Sequence, residues 1–97
     1  MPHAIELMRV PVISSTHVTQ ACAEWLDTFA GDRDCSLVSF AGPYGWILFA
    51  GEEPLDPEFP YVDVLSPVLA WARSNGYAWV RLDVDADRVP GLPTFDW

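Results

Sequence analysis

The chain has 97 residues, enough for one domain, and 51% of them are hydrophobic. Its 14 acidic residues outnumber five basic ones, all Arg, and the net charge is -9. This charge disfavours binding to nucleic acid or to an anionic membrane, because few side chains can neutralise phosphates. The composition also excludes general disorder. We therefore expect a single domain over residues 1–97 with one hydrophobic core.

The N-terminus and the cysteines indicate the compartment. The first six residues lack the basic and long apolar segments of a signal peptide, and no apolar run approaches the roughly 20 residues of a transmembrane helix. Cys22 and Cys35 lack paired or metal-binding spacing and are predicted to be reduced thiols. These features predict a cytoplasmic protein without a membrane partner.

A strand and a helix are predicted at the start of the chain. Residues 5–13 are rich in β-formers, and Pro11 places that end at a sheet edge or outside the ladder because it has no amide donor. A helix is predicted over residues 17–30, with capping hydroxyls at 14–16 and Gly31 as its stop. Its apolar positions at helical spacing are Val18, Cys22, Trp25, Leu26 and Phe29, and its outward positions are Gln20, Glu24 and Asp27.

Residues 37–50 contain two apolar runs joined by a turn at 42–45. Pro43 presets φ at the second turn position and Gly45 suits the fourth, so a type I turn and a β-hairpin are predicted. One hairpin face is predicted to be core because it carries four large apolar side chains: Val38, Phe40, Ile47 and Phe49. The other face carries Leu37, Ser39, Ala41, Trp46, Leu48 and Ala50.

A second helix and a last strand are predicted in the second half. The acidic, proline-rich residues 51–60 predict an irregular loop, and residues 63–75 have helical periodicity. Pro67 leaves two starts open: Asp63 as cap with Pro67 in the first turn, which we favour, or Ser66 as cap. Alternation over residues 77–84 predicts a strand. The turn-rich tail, 85–97, is expected to pack on the domain through its last apolar side chains, Leu92, Phe95 and Trp97.

The order β-α-β-β-α-β predicts an α+β, ferredoxin-like sandwich. Right-handed crossovers at both ends of the hairpin would give a four-stranded sheet with two helices on one face. The other face would be open, carrying Trp46, Leu48, Tyr77, Trp79 and Arg81. Without a basic surround it is not expected to stack nucleic-acid bases; the tail or a homodimer interface through Trp46 and Trp79 would cover it.

Two groups of side chains are candidates for chemistry. Asp83, Asp85 and Asp87 match the first three ligand positions of a calcium loop, but Arg88 and Thr94 occupy the sixth and twelfth, so no metal site is predicted and a solvated acidic loop is favoured.

The second group is Ser15, Thr16 and His17 at a predicted helix N-terminus. It suits either simple capping or a small anionic ligand. His3 and His17 show no zinc spacing with the cysteines. Because no base and nucleophile converge on the predicted scaffold, we expect neither an enzyme nor a cofactor.

Five segments of the chain form a recognisable pattern: residues 12–19, Tyr44-Gly45-Trp46, Trp71-Ala72-Arg73 with Gly76, Leu82-Asp83 with Asp85, and the closing residues 91–97. Together they resemble a family of small bacterial proteins of unknown function that are often encoded on plasmids and integrated mobile elements. The resemblance covers most of the chain and implies no established activity.

The charge, the size and this resemblance favour a non-enzymatic binding protein. Its acidic surface would occupy the basic, nucleic-acid-binding site of a host defence complex, as an anti-CRISPR or anti-restriction inhibitor does. The contact residues would be Glu52, Glu53, Asp56, Glu58, Asp83, Asp85 and Asp87. The alternatives are a small enzyme or ligand-binding module at Ser15, Thr16 and His17, and a structural homodimer.

Overall fold

The computed structural model describes residues 5–32, 34–35 and 37–97; His3 and Arg33 lie outside these ranges. The regular elements follow the predicted order. They are β1 (Val12–Ser14), a short 3-10 helix (Ser15–His17), α1 (Gln20–Phe29), β2 (Ser39–Gly42), β3 (Gly45–Phe49), α2 (Val62–Ser74) and β4 (Trp79–Asp83).

The strands form one mixed sheet in the order β1-β4-β3-β2. β1 runs parallel to β4, whereas β3 is antiparallel to both of its neighbours. Both helices pack on one face, so the α+β class and the four-stranded, ferredoxin-like arrangement are confirmed. The parallel crossover predicted through α2 is wrong, because the strands that α2 connects, β3 and β4, are antiparallel neighbours.

The first strand is shorter than predicted. Residues 5–11 lie outside the ladder, and Ile5 and Leu7 are exposed. Pro11 has no amide to donate, but its carbonyl accepts a 2.9 Å hydrogen bond from the amide of Arg81. Pairing therefore begins at Val12, and β1 is an edge strand.

The first helix begins later than predicted because two separate caps divide the segment. Ser14 accepts a hydrogen bond from the Thr16 amide and caps the 3-10 helix. Thr19 then caps α1 by accepting from the Cys22 amide at 3.1 Å. Gly31, with φ of 80°, ends α1 as predicted.

The second helix begins before both predicted starts. Its N-cap is Tyr61, whose φ is 58° and whose carbonyl accepts from the Val64 and Leu65 amides. Asp63 lies in the first turn, and Pro67 falls within the helix. Proline there removes one intrahelical hydrogen bond and crowds the preceding turn, and the packing of the buried apolar stripe outweighs this local cost. The buried stripe is Leu65, Val68, Leu69 and Ala72.

The hairpin pairs as predicted, but its core face is the opposite one. Phe40 pairs with Ile47, yet Phe40 is 52% exposed. The face that meets the helices carries Trp46 and Leu48, which pair with Leu82 and Val80 of β4. The buried residues of the single core are Ile13, Val18, Cys22, Ala23, Leu26, Leu37, Trp46, Leu48, Ala50, Leu65, Val68, Leu69, Ala72, Val80 and Leu82.

The C-terminal tail lies against β1 and the 3-10 helix. The amide of Phe95 donates to the Thr16 carbonyl at 2.8 Å, and the indole Nε1 of Trp97 donates to the Val18 carbonyl at 2.9 Å. Leu92 packs against the core. These contacts hold the last residues close to the start of α1.

Candidate functional site: an acidic pocket with aromatic walls

The residues of the predicted acidic surface divide between two ends of the sheet. The loop 51–60 follows β3 and lies near the start of β4, where the Ala50 amide donates to the Ala78 carbonyl. Asp83 ends β4, and Asp85 and Asp87 follow it. Because β4 spans five residues, about 3.3 Å apart along the strand, its two ends are separated by roughly 13 Å. The seven predicted acids therefore fall into two groups, one at each end of β4, and their joint role in a contact surface stays a prediction.

The acids at the end of β4 are partly engaged within the protein. Asp83 forms a 3.2 Å ion pair with Arg81 and accepts a 2.9 Å hydrogen bond from the Asp85 amide. Within the described part of the chain, no three His, Cys, Asp or Glu side chains are grouped as metal ligands. Asp83, Asp85 and Asp87 thus form a turn in which one carboxylate is partly neutralised.

The Ser15, Thr16 and His17 corner is occupied by the protein itself. His17 is buried, and its Nε2 accepts from the Val89 amide at 2.8 Å. Its Nδ1 therefore carries the proton and donates to the Pro93 carbonyl oxygen at 2.8 Å. Ser15 is also buried. Both imidazole nitrogens form hydrogen bonds to the C-terminal tail. A ligand that binds to His17 would have to break these bonds.

Trp46 and Trp79 lie on opposite faces of the sheet. Trp46 is 8% exposed on the helix side, so its prediction as an open-face aromatic is wrong. Trp79 lies on the open face and contacts Phe49 edge to face, with ring centroids 4.9 Å apart. Phe40 stacks on Trp79 from the other side of the hairpin, at 6.3 Å. The open face therefore carries an aromatic group centred on Trp79.

The most distinctive cavity lies where the end of α1 meets the loop before α2. It has a volume of about 560 Å³, within the range of small-ligand sites. Trp25 is its central aromatic: its ring lies 5.0 Å from Phe29 and 5.5 Å from Phe59, measured between centroids. Tyr61 contacts Trp25 at 6.1 Å. We call this the aromatic pocket; its lining residues are Trp25, Phe29, Asp32, Asp34, Cys35, Asp56, Glu58, Phe59 and Pro60.

Local sequence explains how the aromatic walls come together. Trp25 and Phe29 are four residues apart on α1, so their side chains lie on one face of the helix. Phe59 reaches them from the loop before α2. Tyr61, the N-cap residue of α2, has a left-handed backbone conformation and also contacts Trp25. A non-glycine residue in this conformation carries backbone strain, which the helix start and the ring contact offset.

Two acidic turns flank these rings, and both have the same geometry. Asp32 accepts a 2.9 Å hydrogen bond from the Asp34 amide, and Asp56 accepts a 2.8 Å hydrogen bond from the Glu58 amide. Each is an Asx turn, in which an aspartate bonds the backbone two residues on. One turn follows α1 and the other precedes α2, so carboxylates approach the pocket from two separate segments.

The chemistry of the aromatic pocket favours a cation. Aromatic rings attract cations through their electron-rich faces, and Trp does so best. Four exposed carboxylates at the rim add negative charge, and they do not form a metal-ligand group among the residues described. A ligand with an apolar or planar stem and a positive head would satisfy both the rings and the rim.

Sequence reasoning singled out two of the four rim carboxylates of this pocket. Asp56 and Glu58 were predicted contact residues, and the structure places them here. Trp25 and Phe29 were assigned to the helix core, and Asp32 and Asp34 to a polar loop. Two signals were available: the repeated pattern of an Asp followed two residues later by an acid, and the aromatic residue that follows the second pair.

Fold and pocket together define a small α+β domain with an acidic, aromatic-lined pocket. The chain belongs to the family of unknown function DUF5983, whose C-terminal domain matches residues 10–97. This match confirms the resemblance to a family without an assigned function. No curated protein and no solved structure matches the chain in the same comparisons. None of the helices described has the length and apolar character needed to cross a bilayer.

Proposed function

We propose that this domain is a non-enzymatic binding protein that engages a basic surface of a protein partner through the aromatic pocket. The proposal rests on one observation: four rim carboxylates and the rings around Trp25 line the same pocket. Aromatic anchors surrounded by charge are typical of the residues that dominate protein interfaces. The net charge of -9 would add long-range attraction to a basic partner and accelerate association.

The partner we propose is a nucleic-acid-handling protein whose basic binding site the domain occupies. Such sites are rich in Arg and Lys, because they neutralise phosphates. A small acidic domain presents carboxylates where nucleic acid presents phosphates, and would therefore inhibit by competition. In the setting that the family resemblance implies, a mobile element in a bacterium, the target would be a defence complex of the CRISPR or restriction type.

The experiment compares capture of host proteins by three forms of the tagged domain. Wild type is matched with Asp56→Lys/Glu58→Lys, which reverses charge at the pocket, and with Asp85→Lys/Asp87→Lys, which makes the same charge change at the far end of β4. All four side chains are exposed, so both variants are expected to fold, and urea unfolding checks this. We expect a nucleic-acid-binding protein to be captured at low salt and displaced by added nucleic acid.

The pocket variant should lose this partner and the β4-end variant should keep it, because both variants change the net charge equally. Equal retention by all three forms would contradict the proposal. Equal loss by the two variants would also contradict it, since net charge alone would then explain binding.

A homodimer through the open face is the second candidate, and the exposed aromatic group around Trp79 favours it. Phe40 and Phe49 are 52% and 38% exposed there, and contiguous exposed apolar surface commonly marks a contact. Mass measurement by light scattering tests this candidate, since Trp79→Ser should convert a dimer to a monomer. A monomeric wild type would exclude it.

A further inference from the structure

We propose that the aromatic pocket binds the side chain of one arginine residue of the partner, in preference to a lysine or a methylated ammonium. The inference rests on the proposed function and specifies the chemical group that the pocket recognises. Three features carry it: the ring cluster, the position of the carboxylates and the open form of the pocket.

The ring cluster offers a surface on which a planar cation can stack. Trp25 is half-buried and its indole contacts the rings of Phe29, Phe59 and Tyr61, which hold it in place before a ligand arrives. A guanidinium group is planar and weakly hydrated, and it stacks on aromatic faces more readily than a compact ammonium. Rigid rings also reduce the entropy lost on binding.

The carboxylates are placed to bind the edge of such a stacked group. Asp32 and Asp56 each use Oδ1 in an Asx turn, which fixes the orientation of the carboxylate; in the proposed complex Oδ2 accepts from the guanidinium. The two turns belong to different segments that line the same pocket, so in the proposed complex the guanidinium would donate to carboxylates from both. Arginine presents five donors in a rigid fork, whereas lysine presents a point charge.

The form of the pocket disfavours a methylated ammonium. Trimethylated ammonium groups have no N–H to donate, so the rim carboxylates would contribute only as distant charges. They are best bound in closed aromatic cages, whereas Phe29, one of the lining rings, is 36% exposed here. The volume of about 560 Å³ accepts an arginine side chain with part of the partner's backbone.

The test is an NMR titration of the full chain with three defined probes at equal ionic strength. The probes are N-acetyl-arginine amide, N-acetyl-lysine amide and tetramethylammonium, and the Trp25 indole N–H signal, assigned with Trp25→Phe, reports binding. We expect the arginine probe to bind at least about fivefold more tightly than the other two, since it alone combines stacking with paired charge-assisted hydrogen bonds.

Matched variants locate the site. Asp56→Asn/Glu58→Gln removes two rim charges while the amide oxygen at position 56 preserves the Asx turn, and it should weaken arginine binding about tenfold. Asp85→Asn/Asp87→Asn removes the same charge at the end of β4 and should leave binding unchanged within about twofold. Equal affinity for arginine and lysine, tighter binding of tetramethylammonium, or equal effects of the two variants would overturn the inference.

This result is separable from the proposed function. Selective arginine binding without capture of a basic protein would refute the proposed function and leave the pocket's specificity intact. Capture of a partner through the pocket, with equal binding of arginine and lysine probes, would refute the inference alone.

Discussion

The indole Nε1 of Trp46 donates a 2.8 Å hydrogen bond to Oδ1 of Asp27, which joins the sheet to the outer edge of α1. Asp27 is exposed, whereas Trp46 is 8% exposed. The carboxylate therefore satisfies the one polar atom of a tryptophan that is otherwise packed among apolar side chains. This bond explains how a large indole can lie beneath a helix, where an unpaired N–H would be costly.

Removal of this acceptor should destabilise the fold. In Asp27→Ala the buried indole N–H loses its partner, and we expect the free energy of unfolding to fall by about 1–2 kcal/mol. Urea denaturation followed by far-UV circular dichroism measures the change. Asp27→Asn keeps an acceptor oxygen and should lose less than half as much, whereas Glu24→Ala, on the same exposed surface of α1, should be nearly neutral. Identical stabilities for the two Asp27 variants would contradict the role of this bond.

Gly45 should tolerate no side chain, because the first strand residue after the turn lies directly against β4. Its φ is 155°, and a Cβ there would overlap the carbonyl oxygen of Leu82. Gly45→Ala should therefore separate β3 from β4 and cost about 2 kcal/mol or more in stability.

Gly42 provides the matched control, since it lies at the other side of the same turn and a Cβ there meets nothing within 4 Å. Gly42→Ala should change the free energy of unfolding by less than about 1 kcal/mol. Comparable losses for both alanine variants, measured by urea unfolding, would show that the turn and not the Leu82 contact sets the cost.

Local sequence patterns predicted the helices and strands better than they predicted which face of each strand is buried. β4 alternates clearly, and its buried side, Val80 and Leu82, is the predicted one. The hairpin is apolar on both faces, so alternation alone could not decide which one packs. The deciding information is long-range: Trp46 pairs with Leu82, whose side chain points to the helices. Strand register between distant segments, not local spacing, selects the core face.

The same limit applies to the pocket. Trp25 and Phe29 have the spacing of a core stripe, and a helical pattern is identical whether its apolar face meets a sheet or a surface pocket. Asp56 and Glu58 are predicted contact residues on the basis of charge alone. What links them to α1 is the edge-to-face contact of Trp25 with Phe59, whose rings cross at 81°. Such a contact depends on how the loop 51–60 folds back, which its prolines do not reveal.

Cys22 should make the protein less stable in alkaline solution. Burial raises the pKa of its thiol from an ordinary value of 9.0 to about 11, because the charged thiolate is disfavoured in the core. Between these two values the unfolded chain loses the proton and the folded chain keeps it. The contribution of the protonated Cys22 thiol to the free energy of unfolding is therefore fully present below pH 9. It is lost as pH rises toward 11, by at most about 1.4 kcal/mol per pH unit.

The measurement is urea unfolding of wild type and Cys22→Ala from pH 8 to pH 11. Cys22→Ala has a lower free energy of unfolding at every pH, because a methyl group fills less of the core. Above pH 9, however, the free energy of unfolding should fall more steeply with pH in wild type than in Cys22→Ala. Parallel curves for wild type and Cys22→Ala would contradict the assignment to Cys22.

His17 should determine whether the C-terminal tail stays on the domain. Its two ring nitrogens bond the Val89 amide and the Pro93 carbonyl, both at 2.8 Å, so His17→Ala leaves both backbone groups without their partner. We expect a loss of about 2 kcal/mol in the free energy of unfolding and faster tryptic cleavage after Arg88, which lies next to Val89 in the tail.

His17→Gln supplies an acceptor of similar reach and should recover part of the protection. Cleavage after Arg9, in the exposed segment before β1, should proceed equally in all three proteins and calibrates the rates. Unchanged cleavage after Arg88 in His17→Ala would mean that Phe95 and Trp97 hold the tail without the imidazole.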